Sequence, residues 1–362
     1  MTIPSSLTAA GKWLLGSGIH ERIGGVARYY RSDLGRNAAV STEITGYAAS
    51  ALVYLTHVTG ERAYLDRAIG IGHFLTREAW NPELRIYPFE CAADRSGVEP
   101  LAYFFDCGIV ARGLLALWRE TRESEFLDNA VACGRSMARD FRAGGAEYHP
   151  ILKLPAKQPI ERDSRWSRSP GCYQLKSAMA WFELFEETGQ QEFADWYEGV
   201  LESALATHAS FLPGDPDEDR VMDRLHAYCY FLEGLLPVLN RPSCARAAAG
   251  GVARAAALLR QIAPRFERSD VNAQILRFRI VADAAGVLPL DRLLAQEEAD
   301  SLARFQGRSF DLRVNGGFYF GRRGSEMMPY VNPVSTAFGL QALAMWHAHR
   351  AGEPAISRQM LI

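Results

Sequence analysis

The chain of 362 residues predicts an all-α fold, an (α/α)6 toroid of six helical hairpins. Three observations point there. One two-helix pattern recurs six times, and its helices are joined alternately by very short turns and very long loops. The first helix of each pair is apolar nearly all round, whereas the second carries one polar face. Helices apolar on every side must be enclosed by others, and a single polar face marks an outer layer. Six inner and six outer helices suffice to close a ring; an open solenoid of helix pairs is the alternative. Length alone would favour two domains, but the repetition makes residues 1–362 a single toroid domain.

The first three hairpins set the pattern: Glu43 to Trp80, Phe105 to Phe141 and Cys172 to His208. Each apolar helix ends in a threonine-centred turn, Thr59-Gly60-Glu61, Thr121-Arg122-Glu123 or Thr188-Gly189-Gln190, before the more charged helix begins. The fourth hairpin runs from Leu225 to about Ala263 and turns at Asn240 to Ser243, where Ser243 is a good N-cap. The fifth runs from Asp270 to about Phe305, turning near Gly286 and Pro289. The sixth inner helix opens at Asn332-Pro333, where proline suits a first turn, and ends at Ala351-Gly352. Its outer partner is missing from the C-terminal side, so the N-terminal helix, Ser5 to about Gly18, is assigned that role.

Composition narrows the function by exclusion. An apolar fraction of 48% with 23% charged residues is ordinary globular usage. The net charge of −2 argues for neither nucleic acid nor an anionic membrane as partner. The stretch Trp13 to Leu15 after Lys12 is too brief for a signal peptide or a membrane span. Six cysteines at 91, 107, 133, 172, 229 and 244 form no Cys-x-x-Cys pair, and several sit at apolar helix positions. Reduced thiols and a cytoplasmic location are expected, without a structural zinc. The sequence carries no metal-ligand spacing, nucleophile elbow or phosphate-binding fingerprint, and it requires no metal and no cofactor.

The long connections, roughly 19–42, 81–104, 142–170, 209–224 and 306–331, all lead from an outer to an inner helix; only 264–269 is short. Long loops in a compact domain are usually functional. They place a cavity mouth at the inner-helix N-termini, whose unpaired N–H groups each favour an anion by about 0.3–1 kcal/mol. The third loop adds Arg142, Lys153, Lys157, Arg162, Arg165 and Arg168 against Glu147, Glu161 and Asp163. An anionic sugar would suit this mouth; a solvated basic loop is the competing reading.

The first turns of the inner helices supply the candidate site: Glu43, Thr45 and Tyr47; Asp106; Tyr173, Gln174 and Lys176; His226 and Tyr228; Asn272, Gln274 and Arg277; Asn332, Ser335 and Thr336. Capping alone explains polar residues there, and Asp106 and Asn332 can be caps. His226 is a poor cap; it is either a buried structural histidine or, with Tyr228, a proton-transfer pair. On a regular helix two residues apart diverge by about 200°, so both serve one site only if the first turn is irregular. Aromatic loop residues suit sugar stacking or lid packing: Tyr29, Tyr30, Tyr87, Phe89, Tyr103, Tyr148, Trp166, Phe318, Tyr319 and Tyr330. The stretch Asn315 to Gly321 reads as a strand or hairpin entering the cavity. The acidic run Asp215 to Asp219 compares loosely with the Asp-rich motif of terpene cyclases, but its spacing and Pro/Gly setting favour a solvated loop or helix start.

Four segments carry a family resemblance: FDCGIVARGLLALWRET (105–121), CYQLKSAMAWFELFEETG (172–189), HAYCYFLEGLL (226–236) and NPVSTAFGLQALAMW (332–346). With the hairpin pattern they resemble the six-hairpin, glycosidase-like (α/α)6 superfamily. Within it they resemble bacterial toroids that accompany exopolysaccharide genes and are often labelled prenyltransferase-like or squalene-cyclase-like. The resemblance implies a carbohydrate ligand and spans uronyl hydrolases, other glycosidases, epimerases and lyases; it transfers no catalytic residue.

The leading expectation is a glycoside hydrolase acting on an acidic or exopolysaccharide-derived sugar, with Glu43 and Asp106 as paired carboxylates. The alternative is a uronate lyase or C5-epimerase, with His226 or Tyr228 as base and Asn272 or Arg277 steadying the enolate. Tyr47, Tyr87, Arg165, Trp166, Gln174, Lys176, Asn272, Arg277, Tyr319, Asn332 and Ser335 are the expected substrate contacts. A non-catalytic sugar-binding protein and a terpene-type cyclase complete the set.

Overall fold

The computed structural model describes residues 4–91, 100–163, 165–212 and 217–362. Among these it contains twelve α-helices, and the chain packs as two compact units. One unit comprises residues 20–28 and 39–208; the other comprises 1–19, 29–38 and 209–362.

In the first unit, α2 (Thr42–Thr59), α4 (Phe104–Thr121) and α6 (Gln174–Thr188) pack side by side, backed by α3 (Arg62–His73), α5 (Ser124–Asp140) and α7 (Gln191–Phe211). The recurrent threonine turn has a physical basis here. Thr59, Thr121 and Thr188 each donate Oγ1–H to the carbonyl four residues back, at 2.7–2.9 Å. Each accepts at the same Oγ1 from the N–H two residues on, at 3.1–3.3 Å. The residue between them is left-handed in all three turns: Gly60 (φ 73°), Arg122 (φ 60°) and Gly189 (φ 68°). One side chain thus ends one helix and admits the next.

The inner helices of this unit approach closely. A Cβ on Gly113 would stand 2.6 Å from the Gly46 carbonyl oxygen, and one on Gly46 would stand 2.9 Å from the Val110 Cα. Between α4 and α6, Ser177 Oγ–H donates to the Phe104 carbonyl at 2.9 Å. Farther along, Glu183 is fully buried between Arg112 and Arg119, each at 2.8 Å. Short strands lie over the helix starts, pairing Val40-Ser41 with Glu90-Cys91 and Leu101–Tyr103 with Ile151–Lys153.

In the second unit, α8 (Glu218–Gly234), α10 (Ser269–Ala284) and α12 (Pro333–Arg350) pack together, with α9 (Pro242–Ile262), α11 (Arg292–Ala303) and α1 (Ser5–Gly16) outside. The N-terminal helix packs on α12, the partner expected for it. The stretch from Asn315 to Gly321 lies on the starts of α10 and α12: Phe318 N–H donates to Thr336 Oγ1 at 2.9 Å, and Ser269 Oγ–H donates to the Tyr319 carbonyl at 2.7 Å. Gly321–Arg323 then pairs with Phe266–Arg268.

One boundary departs from expectation. The fourth inner helix begins at Glu218, not Leu225, and α7 extends to Phe211, so the connection expected over 209–224 shrinks to 212–217. The cause is local: Asp217 caps the helix, its side chain accepting from the Asp219 and Arg220 N–H groups. His226 and Tyr228 therefore sit in the third turn. The acidic run is a helix start, with Glu218 paired to Arg265 and Asp219 to Arg323. Asp215 and Pro216 lie outside the described residues.

Candidate functional site

The close glycine contact decides what stands at the start of α2 and α4. Gly46 lies against Ile109 and Val110. Three residues back along each helix are Glu43 and Asp106, less than one turn from the contact and in the first turns of α2 and α4. Asp106 is buried and its Oδ2 has no hydrogen-bond partner among the described residues. Glu43 is only partly buried. Burial lifts the Glu43 carboxyl to about 7 against the opposing charge of Arg28. Burial and then the negative charge of Glu43 hold Asp106 well above the usual carboxylate range. A helix N-terminus favours an ionised carboxylate by only about 0.3–1 kcal/mol, too little to offset removal from water. Burial and mutual repulsion thus oppose ionising both carboxyls together, and Glu43 is close to its midpoint near neutrality.

Aromatic rings continue from this pair. The Phe89 and Tyr103 rings are 4.8 Å apart, and the Trp166 and Tyr173 rings meet edge-on at 5.0 Å. Burial and the charge of Asp106 raise the Tyr103 hydroxyl. Arg28 reaches Glu90 at 2.7 Å and stands over the Phe89 ring at 5.1 Å. Arg28 and Glu90 were not among the expected site residues; their place in the long loops that lead to two inner helices was the only signal for them.

The other expected contacts of this unit separate. Tyr87 is fully buried, its hydroxyl bonded to Asn129 and its ring packed on Trp80, so it serves the core. Gln174 ties the loop, donating to the Tyr148 carbonyl at 3.0 Å. Tyr47 and Lys176 are buried in the first turns of α2 and α6. Arg165 is exposed and fastened to Asp163 at 2.5 Å. The basic excess of the third loop is largely answered internally: Lys157 pairs with Asp140, Arg162 with Glu147, and Arg168 with Asp163.

The second unit gathers another cluster around His226. Its Nδ1 lies 2.9 Å from Gln274 Oε1 and 3.4 Å from Asp270 Oδ2. Both neighbours are acceptors, which assigns the proton to Nδ1 and leaves Nε2 as the basic nitrogen. Burial, then the charge of Arg268, lowers His226 to about 4, so the ring is neutral at pH 7. Arg268 donates to Asp270 at 3.0 and 2.6 Å and to Asp223 at 2.8 Å. Burial opposes ionisation of Asp270, but Arg268 and His226 outweigh it and hold that carboxyl below its usual range. Asp270 and Arg268 were absent from the expected site residues.

Tyr228 is not His226's partner. It faces the opposite way, with its ring stacked near Phe211 and its hydroxyl end against Gly251 of α9, as the 200° divergence on a regular helix requires. Arg277 is not available to steady an enolate: it is fully buried, 2.5 Å from Glu233 and 2.9 Å from Gln341. Asn272 bonds Glu267 at 2.9 Å, and Asn332 caps α12 by accepting from the Val334 and Ser335 N–H groups. The Ser335 hydroxyl is buried without a partner among the described residues, and Tyr319 is half-buried above the same helix start. Among the described residues, no group of three His, Cys, Asp or Glu side chains could hold a metal ion, and no helix is long and apolar enough to cross a membrane.

No protein-family model matches this chain, and no curated protein matches it in sequence. Solved structures do resemble it. A sugar epimerase from a ruminal bacterium matches with a TM-score of 0.68 at 11% identity, covering 93% of this chain and 98% of its own. Cellobiose 2-epimerase from Bacillus thermoamylovorans matches with a TM-score of 0.69 at 11% identity, over 91% and 95%. An unsaturated glucuronyl hydrolase from Bacillus sp. GL1 matches with a TM-score of 0.68 at 12% identity, over 97% and 97%. At these identities the likeness shows the fold alone, an (α/α)6 toroid.

Proposed function

We propose that this protein is a carbohydrate-active enzyme that hydrolyses a glycosidic bond of an acidic sugar, with Glu43 and Asp106 as its two catalytic carboxyls. The observation that carries the reading is their placement on adjacent helix starts, both titrating above the ordinary range. Asp106, the carboxyl that burial and the charge of Glu43 make harder to ionise, donates its proton to the leaving oxygen; Glu43, once ionised, activates water or attacks the anomeric carbon. The part-exposed rings of Phe89, Tyr103 and Trp166 are the aromatic surfaces nearest to hand for pyranose rings. An anionic substrate draws its support from Arg28, since four of the third loop's six cations are already in ion pairs, three with acids of that loop and Lys157 with Asp140 of α5. The likeness to carbohydrate-processing enzymes over more than nine-tenths of the chain supports the substrate class and a single domain over 1–362. Six buried free cysteines support a reducing, cytoplasmic setting.

The test is a screen of aryl glycosides and glycuronides followed by Glu43→Gln and Asp106→Asn. Each substitution should lower kcat by at least about a hundredfold. Full turnover by both variants on a cleaved substrate would end the assignment.

A second reading, sugar epimerisation or uronate elimination, is favoured by the neutral, oriented imidazole of His226. It predicts exchange of a sugar C–H proton with deuterium oxide, or an ultraviolet-absorbing unsaturated product, either of them lost in His226→Asn.

A further inference from the structure

The segment ahead of α2 sets a charged pair over the Glu43–Asp106 dyad. Arg28 N–H donates to the Ala39 carbonyl at 3.0 Å, and Ala27 bridges Val40, which leads into α2. On the other side of that strand Ser41 is registered with Glu90, and Thr42 N–H donates to the Phe89 carbonyl at 3.2 Å. Arg28 and Glu90 therefore meet just above the first turn of α2, joined at 2.7 Å. The guanidinium carbon stands over the Phe89 ring at 5.1 Å, and that ring packs on Tyr103, the residue that precedes α4.

The pair is 40% and 31% exposed. An ion pair so open to water contributes little to stability, about 0–1 kcal/mol, and exchanges partners readily. Its stacked, forked cation is nonetheless pre-organised for a planar carboxylate.

We propose that Arg28 reads the carboxylate of the sugar substrate and that Glu90 is its placeholder, a side-chain carboxylate that holds the position until the substrate's own displaces it. The inference rests on the dyad as the reaction site of an acidic-sugar enzyme. Exchanging one carboxylate for another leaves the cation paired throughout, so an acidic sugar binds without exposing a bare charge. A neutral sugar leaves Arg28 with Glu90 and gains nothing from it. Arg165 and Arg168 are poorer candidates, because both are committed to Asp163 on their own loop.

The experiment is calorimetric titration of the full chain with D-glucuronate and with D-glucose, for wild type, Arg28→Gln, Glu90→Gln and the double variant, each checked for native folding by circular dichroism. Arg28→Gln should weaken glucuronate by about tenfold or more, the value of one lost charge-assisted contact. Glu90→Gln should tighten it severalfold, and glucose should move less than about twofold in every variant. The double variant should bind glucuronate as weakly as Arg28→Gln. The proposal is overturned if Glu90→Gln weakens glucuronate, if both sugars move together, if the double variant regains wild-type affinity, or if wild type binds the two sugars alike. Turnover of Asp106→Asn on a cleaved glycoside, measured beside the titrations, separates the two ideas: a wrong dyad shows as unimpaired turnover, a wrong reader as unchanged selectivity in the Arg28→Gln titrations.

Discussion

Gly113 and Gly46 touch backbone to backbone: a methyl group on Gly113 would stand 2.6 Å from the Gly46 carbonyl oxygen. Glu43 lies three residues before Gly46 and Asp106 seven before Gly113, about two turns, so both stand in the first turns of these two packed helices. The spacing of the two helices that carry these carboxyls is therefore limited by two residues that have no side chain.

Gly113→Ala must push α4 away from α2. It should cost about 1–3 kcal/mol of stability, the usual penalty for overpacking, and the loss is read from urea unfolding. Turnover should fall further than stability alone explains, because the carboxyls separate. A variant with wild-type unfolding and wild-type kcat would show that this contact does not set the dyad.

Glu43 is raised from 4.5 to about 7 by burial. The folded chain then binds more protons than the unfolded one across this window, so the group's contribution is present below pH 4.5 and lost as pH rises through about 7. Asp106 shifts in the same direction. Melting curves between pH 4.5 and 8 should show wild type losing stability relative to Glu43→Gln as pH rises. On the kinetic side, kcat/KM should climb as Glu43 ionises near pH 7 and fall again where Asp106 loses its proton.

His226 works with the opposite sign. Its folded value of about 4 lies below the ordinary 6.5, so the unfolded chain binds the extra proton between these values. The stability is complete above pH 6.5 and disappears as pH falls through about 4. Nuclear magnetic resonance of the His226 ring should report a neutral imidazole at pH 5.5. A ring charged at that pH would remove the basis for proton abstraction by His226.

Arg277 and Glu233 are both fully buried and lie 2.5 Å apart. Glu233→Ala removes the carboxylate at the guanidinium, leaving it Gln341, the Ile362 backbone oxygen at 3.3 Å and the face of Phe338. The expected loss is about 3–5 kcal/mol in chemical denaturation. A loss below about 1 kcal/mol would show that water or a shifted partner takes over the charge.

Much of this was legible in the chain because helix period and turn chemistry are local. Thr59, Thr121 and Thr188 announce their turns through bonds spanning at most four residues. Asn332 announces the start of α12 in the same way. The start of α8 was misplaced because Asp217, one acid among several, is the cap; nothing in composition distinguishes it from its neighbours. Arg28 and Glu90 were overlooked because they meet across 62 residues, one in an irregular segment and the other on a two-residue strand, neither with a periodicity to read.

By itself the sequence determined the twelve-helix hairpin order and the turns that produce it, and it placed Glu43 and Asp106 at helix starts. Only the tertiary structure decided which polar side chains share a site. It put Glu43 beside Asp106, gave His226 to Gln274 and Asp270, turned Tyr228 toward α9 and paired Arg277 with Glu233. The reason is physical. A helix or a cap is settled by residues within a few positions of one another, whereas desolvation and charge pairing depend on distances between segments remote in the chain, and those exist only after packing.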